Sequence, residues 1–226
     1  MADSDNTRHV INVCFHGIGK PQRELDPGEA RYWISTDDFH RILDEVMSWP
    51  SARISFDDGN ASDVEIGLPA LVERGLHADF FVLAGRLNAQ GSLDEGAVRE
   101  LKGHGMGIGT HGMHHRSWRG MDAGTRQEEL VTARHRLAAV SGGGVVAAAC
   151  PLGRYDRSLL SQLRRLGYQR VFTSDRRPAR RDAWLQPRFS VRCGDNAATV
   201  RTAAVVVPPV TRRIRSAAVG FVKRWR

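Results

Sequence analysis

Short apolar runs alternate with helix-patterned segments along most of this chain, and that alternation limits the fold more than any other feature. HADFFVLAG (77–85) is almost unbroken apolar sequence, as expected of a strand covered on both faces. SDVEIGLPALVERGL (62–76) and SLDEGAVRELKGHG (92–105) flank it as helices, with Pro69 near the start of the first or bending it. HVINVCFHG (9–17), ARISF (52–56), MGIGTHG (106–112), VVAAACPLG (145–153), QRVFTS (169–174) and WLQPRFSV (184–191) read as strands. Three further helices follow the same logic: STDDFHRILDEVMSW (35–49) capped by Ser35 or Thr36, a long one over 122–144 ending at glycines, and RSLLSQLRRLGY (157–168). Strands separated by helices imply parallel βαβ units, and 226 residues suffice for one sizeable α/β core.

In parallel α/β proteins the functional groups gather at the carboxyl ends of the strands. Four polar clusters fall there: His16, Asp57–Asp58, His111 with His115, and the turn CPLGRY at 150–155. Two adjacent carboxylates at the end of a buried strand raise each other's protonation cost, and a turn needs only one. His111 and His115 are spaced i, i+4, so on a helical turn both imidazoles share a face and can bind one metal ion, with Asp58 as an oxygen ligand. The alternative is that the two histidines only open a helix or face solvent. A cation at Asp58 would let Asp57 stay ionised beside it and take a proton from bound water.

These segments resemble the polysaccharide deacetylases of carbohydrate esterase family 4, the NodB homology domain. SFDDG is similar to that family's first motif, HGMHH to its second and CPLGRYD to its third; the likeness covers roughly residues 8–195. It implies a distorted, incomplete (β/α) barrel. It also implies a divalent ion, generally zinc, on Asp58, His111 and His115, with Asp57 as catalytic base. The turn Pro151–Leu152–Gly153 would shape the pocket and offer a backbone N–H near Leu152 to the oxyanion.

Departures from the pattern matter as much. Ala149 stands where an arginine usually orients the base, and Arg188 is the candidate to supply that guanidinium from another strand. Leu152 replaces the usual tyrosine, Gly112 a serine or threonine, and Arg116 a proline. The family's late histidine acid is missing, since no histidine follows His135. His16 is the nearest replacement by topology, with a purely structural role for it left open, and His114 is a third option. An amine leaves poorly unless protonated, so amide hydrolysis needs such a donor.

The net charge of +8 is uneven: no acidic residue follows Asp195, while Arg212, Arg213, Arg215, Lys223, Arg224 and Arg226 crowd the end. The expected organisation is a deacetylase-like domain over 1–195 and a basic segment over 196–226. Within that segment, 210–226 has the pattern of an amphipathic helix able to touch an anionic membrane, or to pack on the domain. No apolar leader or spanning run is visible and the three cysteines form no CxxC pair, so the expected setting is cytoplasmic, at most peripheral to the inner membrane surface. No aromatic–basic motif points to nucleic acid. The expected activity is metal-dependent removal of an N-acetyl (or O-acetyl) group from a sugar, glycan or lipid-linked glycan, in polysaccharide or glycolipid biosynthesis. The competing expectation is a catalytically silent binding module on the same fold.

Overall fold

The computed structural model describes residues 9–49 and 51–205. Among them seven strands lie parallel: β1 (His9–Phe15), β2 (Ala52–Asp58), β3 (Ala78–Val82), β4 (Gly107–Thr110), β5 (Ala147–Ala149), β6 (Arg170–Thr173) and β7 (Leu185–Ser190). They pair in sequence order, and β7 returns to β1 with Asn12 opposite Arg188 and Cys14 opposite Ser190. The sheet is therefore a closed (β/α) barrel, one strand short of the full eight. Two short ladders decorate it: Ala179–Arg180 runs antiparallel to the start of β1, and Gly17–Ile18 pairs with Trp33–Ile34.

The helices form where apolar periodicity and caps agree. Ser35 caps α1 (Thr36–Met47), its hydroxyl accepting from the Asp38 N–H at 3.1 Å, and Phe39, Ile42, Leu43 and Val46 face the barrel. Pro69 sits in the first turn of α2 (Leu68–Glu73), after a π-helical turn over Asp63–Gly67, where its missing N–H costs little. Then come α3 (Glu95–Gly103), α4 (Ala123–Gln127) and α5 (Ala133–Ser141), the last two joined by a π-helical turn, Glu128–Thr132. Gly142, at φ 66°, ends α5 as the glycine run suggested. The chain continues through α6 (Arg157–Arg165) and α7 (Ala197–Ala204).

Strand alternation sorts the core into two layers. Phe56, Phe80 and Val82 pack outward with Phe39, Leu71 and Val98, and the rings of Phe56 and Phe80 stack at 4.7 Å. Phe81, Ala149 and Phe172, out of phase with these, form a small apolar cluster of their own on the inward face. Packed structure continues past residue 195, where the sequence suggested the domain would end: Val200 and Ala204 of α7 join the main core, and Arg201 pairs with Glu45 at 3.0 Å. The amphipathic pattern over 210–226 lies outside the described residues. No helix among the described residues is long and apolar enough to cross a membrane.

Candidate active site

Every strand of a parallel barrel ends on the same face, and there His16, Asp57, Asp58, His111, His115, Leu152 and Gly153 line one cavity of about 500 Å³. Asp57 and Asp58 close β2, so their side chains should point to opposite sides. Asp58 avoids this by adopting φ 78°, a left-handed conformation that non-glycine residues rarely take. His115 (φ 52°) and Leu152 (φ 57°) are left-handed too. Three of the strained positions thus line one pocket, as expected where geometry is imposed by surrounding contacts.

The two histidines meet Asp58, but not from a helix. Residues 111–118 form a loop in which Gly112 (φ 89°) and His115 turn the chain back on itself. The Nε2 atoms of His111 and His115 each lie 3.5 Å from Asp58 Oδ1, and the ring centroids are 5.3 Å apart. The i, i+4 spacing brings the rings together through the loop's reversal. Glu129, fully buried in the second π-helical turn, holds that loop: its carboxylate accepts from the N–H groups of Met113 (2.8 Å) and His114 (3.1 Å) and from the Trp118 indole (3.2 Å). A Cβ on Gly112 would come within 2.2 Å of the Glu129 carboxylate, so the position has no room for serine or threonine.

The donor set fits a divalent cation. Both oxygens of Asp58 are buried without a hydrogen-bond partner, an arrangement that is costly unless a cation satisfies them. His111 Nδ1 lies 2.9 Å from the Ala149 carbonyl, which can only accept; Nδ1 must carry the proton, leaving the Nε2 lone pair toward Asp58. Burial then pushes the His111 pKa down to about 4, against the pull of Asp57 and Asp58, so the ring is neutral near pH 7. On the far side of His115, Nδ1 lies 3.6 Å from Asp26, which is itself held by Arg86. One carboxylate oxygen and two imidazole nitrogens leave positions for water and substrate.

Asp57 has a different neighbour. Arg188, fully buried on β7, donates to Oδ1 at 2.7 Å and Oδ2 at 2.6 Å, and also to the Ser55 hydroxyl at 3.1 Å. Burial alone would raise the Asp57 carboxyl, but the guanidinium and, more weakly, His111 outweigh it and hold the group below the usual carboxylate range. The guanidinium packs 5.2 Å from the Phe81 ring and 5.6 Å from the Phe172 ring, beside Ala149. His16 Nε2 approaches Asp57 Oδ2 at 4.0 Å while its ring stacks on Tyr32 at 4.6 Å. His114 lies apart, half exposed and 3.1 Å from Glu128.

Sequence reasoning missed Asp26, Tyr32 and Glu129. Tyr32 and Asp26 belong to an irregular segment with no periodicity, and Glu129 looked like any helix charge. A buried glutamate breaking an apolar face was the signal available for the last.

The chain is similar to known proteins in sequence and in fold. The polysaccharide deacetylase family model matches residues 46–171. YxkH of Bacillus subtilis, provisionally named a polysaccharide deacetylase, is 25% identical over 168 residues; the match covers 74% of this chain and 58% of that protein. Among solved structures, a polysaccharide deacetylase from Bacillus cereus superposes with a TM-score of 0.74 at 15% identity, covering 86% of this chain and 68% of that one. The Streptococcus pyogenes deacetylase PplD, solved with acetate, gives 0.73 at 17% identity, covering 87% and 98%. IcaB from Ammonifex degensii gives 0.65 at 19%, covering 93% and 96%. These likenesses show a shared fold.

Proposed function

The chain belongs to the polysaccharide deacetylase family, and on that premise we propose that it is a metal-dependent hydrolase removing an N-acetyl group from a carbohydrate. One observation carries the reading: a doubly unpartnered, buried Asp58 flanked by the Nε2 atoms of His111 and His115, next to an Asp57 fixed by Arg188. Asp58, His111 and His115 would hold the ion, which we assign as zinc. When bound, such an ion polarises the acetyl carbonyl and lowers the pKa of water toward ~7.

The chain's own residues divide the remaining work. Arg188 keeps Asp57 ionised and aimed into the cavity, so Asp57 is ready to accept the proton of the attacking water. The Leu152 backbone N–H, in a left-handed turn, is offered to the oxygen that gains charge, while the Gly153 N–H donates to the Cys150 carbonyl at 3.2 Å. His16, 4.0 Å from Asp57, donates to the departing amine. An O-acetyl ester would need less of that help. The substrate is an N-acetylated sugar of polysaccharide or glycolipid biosynthesis, and the basic 210–226 segment brings the enzyme to an anionic membrane surface.

Acetate release from N-acetylated sugars, with metal analysis of the purified protein, tests this. Asp57→Asn should keep about one ion per chain and lose on the order of 10²–10⁴-fold in turnover. A protein that binds no stoichiometric metal and releases no acetate would be the silent module instead.

A further inference from the structure

Charge around the cavity is unevenly compensated. Three carboxylates on its wall each have a cation of their own: Asp26 with Arg86, Glu29 with Arg23, and Asp57 with Arg188. Asp58 is the fourth, and a divalent ion there would leave a surplus positive charge. Two arginines also line the wall, Arg31 and Arg154, both exposed. Among the described residues neither pairs with a carboxylate. The lining itself has four carboxylates and two arginines, but with Arg23, Arg86 and Arg188 counted beside their partners the site holds five guanidinium groups against four carboxylates.

Arg31 is fixed close to the chemistry. Its guanidinium sits 4.9 Å from the Tyr32 ring, and Tyr32 stacks on His16 beside Asp57. The Arg31 carbonyl accepts from the Cys193 N–H at 2.7 Å, tying this segment to the loop that carries Arg192, whose guanidinium lies 6.0 Å from the same ring. Arg154 directly follows the Leu152–Gly153 turn. The Arg31 guanidinium, stacked on Tyr32, keeps its N–H edge free for an oxyanion, and with Arg154 on the same wall the two charges match that of a phosphoryl group. A neutral glycan could accept hydrogen bonds from either but would leave both charges without an anion.

We propose that the substrate is an N-acetyl amino sugar carrying a phosphoryl group, which Arg31 and Arg154 bind at the mouth while the acetamido group reaches Asp57 and Asp58. The inference rests on the deacetylase reading and names its substrate class. Calorimetry on the metal-free full chain, with N-acetylglucosamine 1-phosphate against its neutral methyl glycoside, separates the two ideas because it needs no turnover. The phosphate should bind about 10- to 100-fold more tightly, weaken with salt, and lose that margin in Arg31→Gln/Arg154→Gln. Equal affinity for both ligands, or a margin untouched by the double variant, overturns the proposal whether or not acetate is ever released. With the metal-loaded enzyme, the ratio of kcat/KM for phosphorylated over neutral sugar should exceed about tenfold and collapse toward one in the double variant, through KM. Turnover of neutral oligomers with no phosphate preference overturns the proposal and leaves the deacetylase intact. Lipid-diphosphate-linked and nucleotide-linked N-acetyl sugars, run side by side, identify the source of the phosphate.

Discussion

Arg188 and Asp57 are both removed from water, and each is tolerable only with the other. Arg188→Gln should strand the Asp57 charge and cost roughly 3–5 kcal/mol of stability, whereas Asp57→Asn combined with Arg188→Gln should recover part of that loss. Urea unfolding of the four proteins measures the coupling; single variants within about 0.5 kcal/mol of the parent would sink the argument. His111 supplies a pH signature in the metal-free protein. Its folded pKa of about 4 lies below the ordinary 6.5, so the unfolded chain takes up a proton that the folded one refuses. Stability from this group is full above pH 6.5 and is lost as pH falls toward 4, by about 3 kcal/mol at ~1.4 kcal/mol per unit. Asp57, held low, contributes its loss only at more acid pH, so the window is separable. In chelator, unfolding free energies at pH 7 and 4.5 should differ less in His111→Asn than in the parent.

The loop 111–118 shows where a pattern and its structure part company. Its histidine spacing fitted a helix, yet the same spacing closes a reversed loop because Gly112 can adopt φ 89° and Glu129 captures the freed N–H groups. Gly112→Ser should therefore cripple the site: the new side chain meets Glu129 and is forced into left-handed backbone. We expect a loss of several kcal/mol or of metal binding, read by thermal melting with and without zinc. A Gly112→Ser variant that melts and binds zinc like the parent would mean that Glu129 does not shape the loop. The clusters at strand ends were legible because alternation fixes which ends share a face. The loop was not, since positive φ and a carboxylate reaching over from a π-helical turn leave no periodic trace. The family resemblance points to Arg188 as the guanidinium for Asp57, in place of the arginine absent at Ala149; no local pattern states the meeting itself, which depends on β7 closing beside β1.

At the scale of the molecule, the seven strands close into one barrel, and α7 packs on its core. The charge asymmetry of the sequence suggested a boundary at 195, because acidic residues stop there, but burial follows apolar contacts: Val200 and Ala204 lie in the core against the side that carries α1. A chain ending at 195 should lose roughly 1.5–3 kcal/mol from the valine alone and expose the face of α1. A chain ending at 205 keeps every described contact and should melt with the full-length protein. The same pair of truncations isolates the basic segment. Removing 206–226 takes away Arg212, Arg213, Arg215, Lys223, Arg224 and Arg226 with Phe221, Val222 and Trp225, leaving the site residues in place. Each such cation near an anionic leaflet contributes about 1 kcal/mol, and salt screens it. The full chain should therefore co-sediment with anionic but not neutral vesicles at low salt, and the chain ending at 205 with neither, while both hold zinc equally. If the full chain ignores anionic vesicles, the segment serves the fold or another partner, and a phosphorylated substrate would have to be sought in solution.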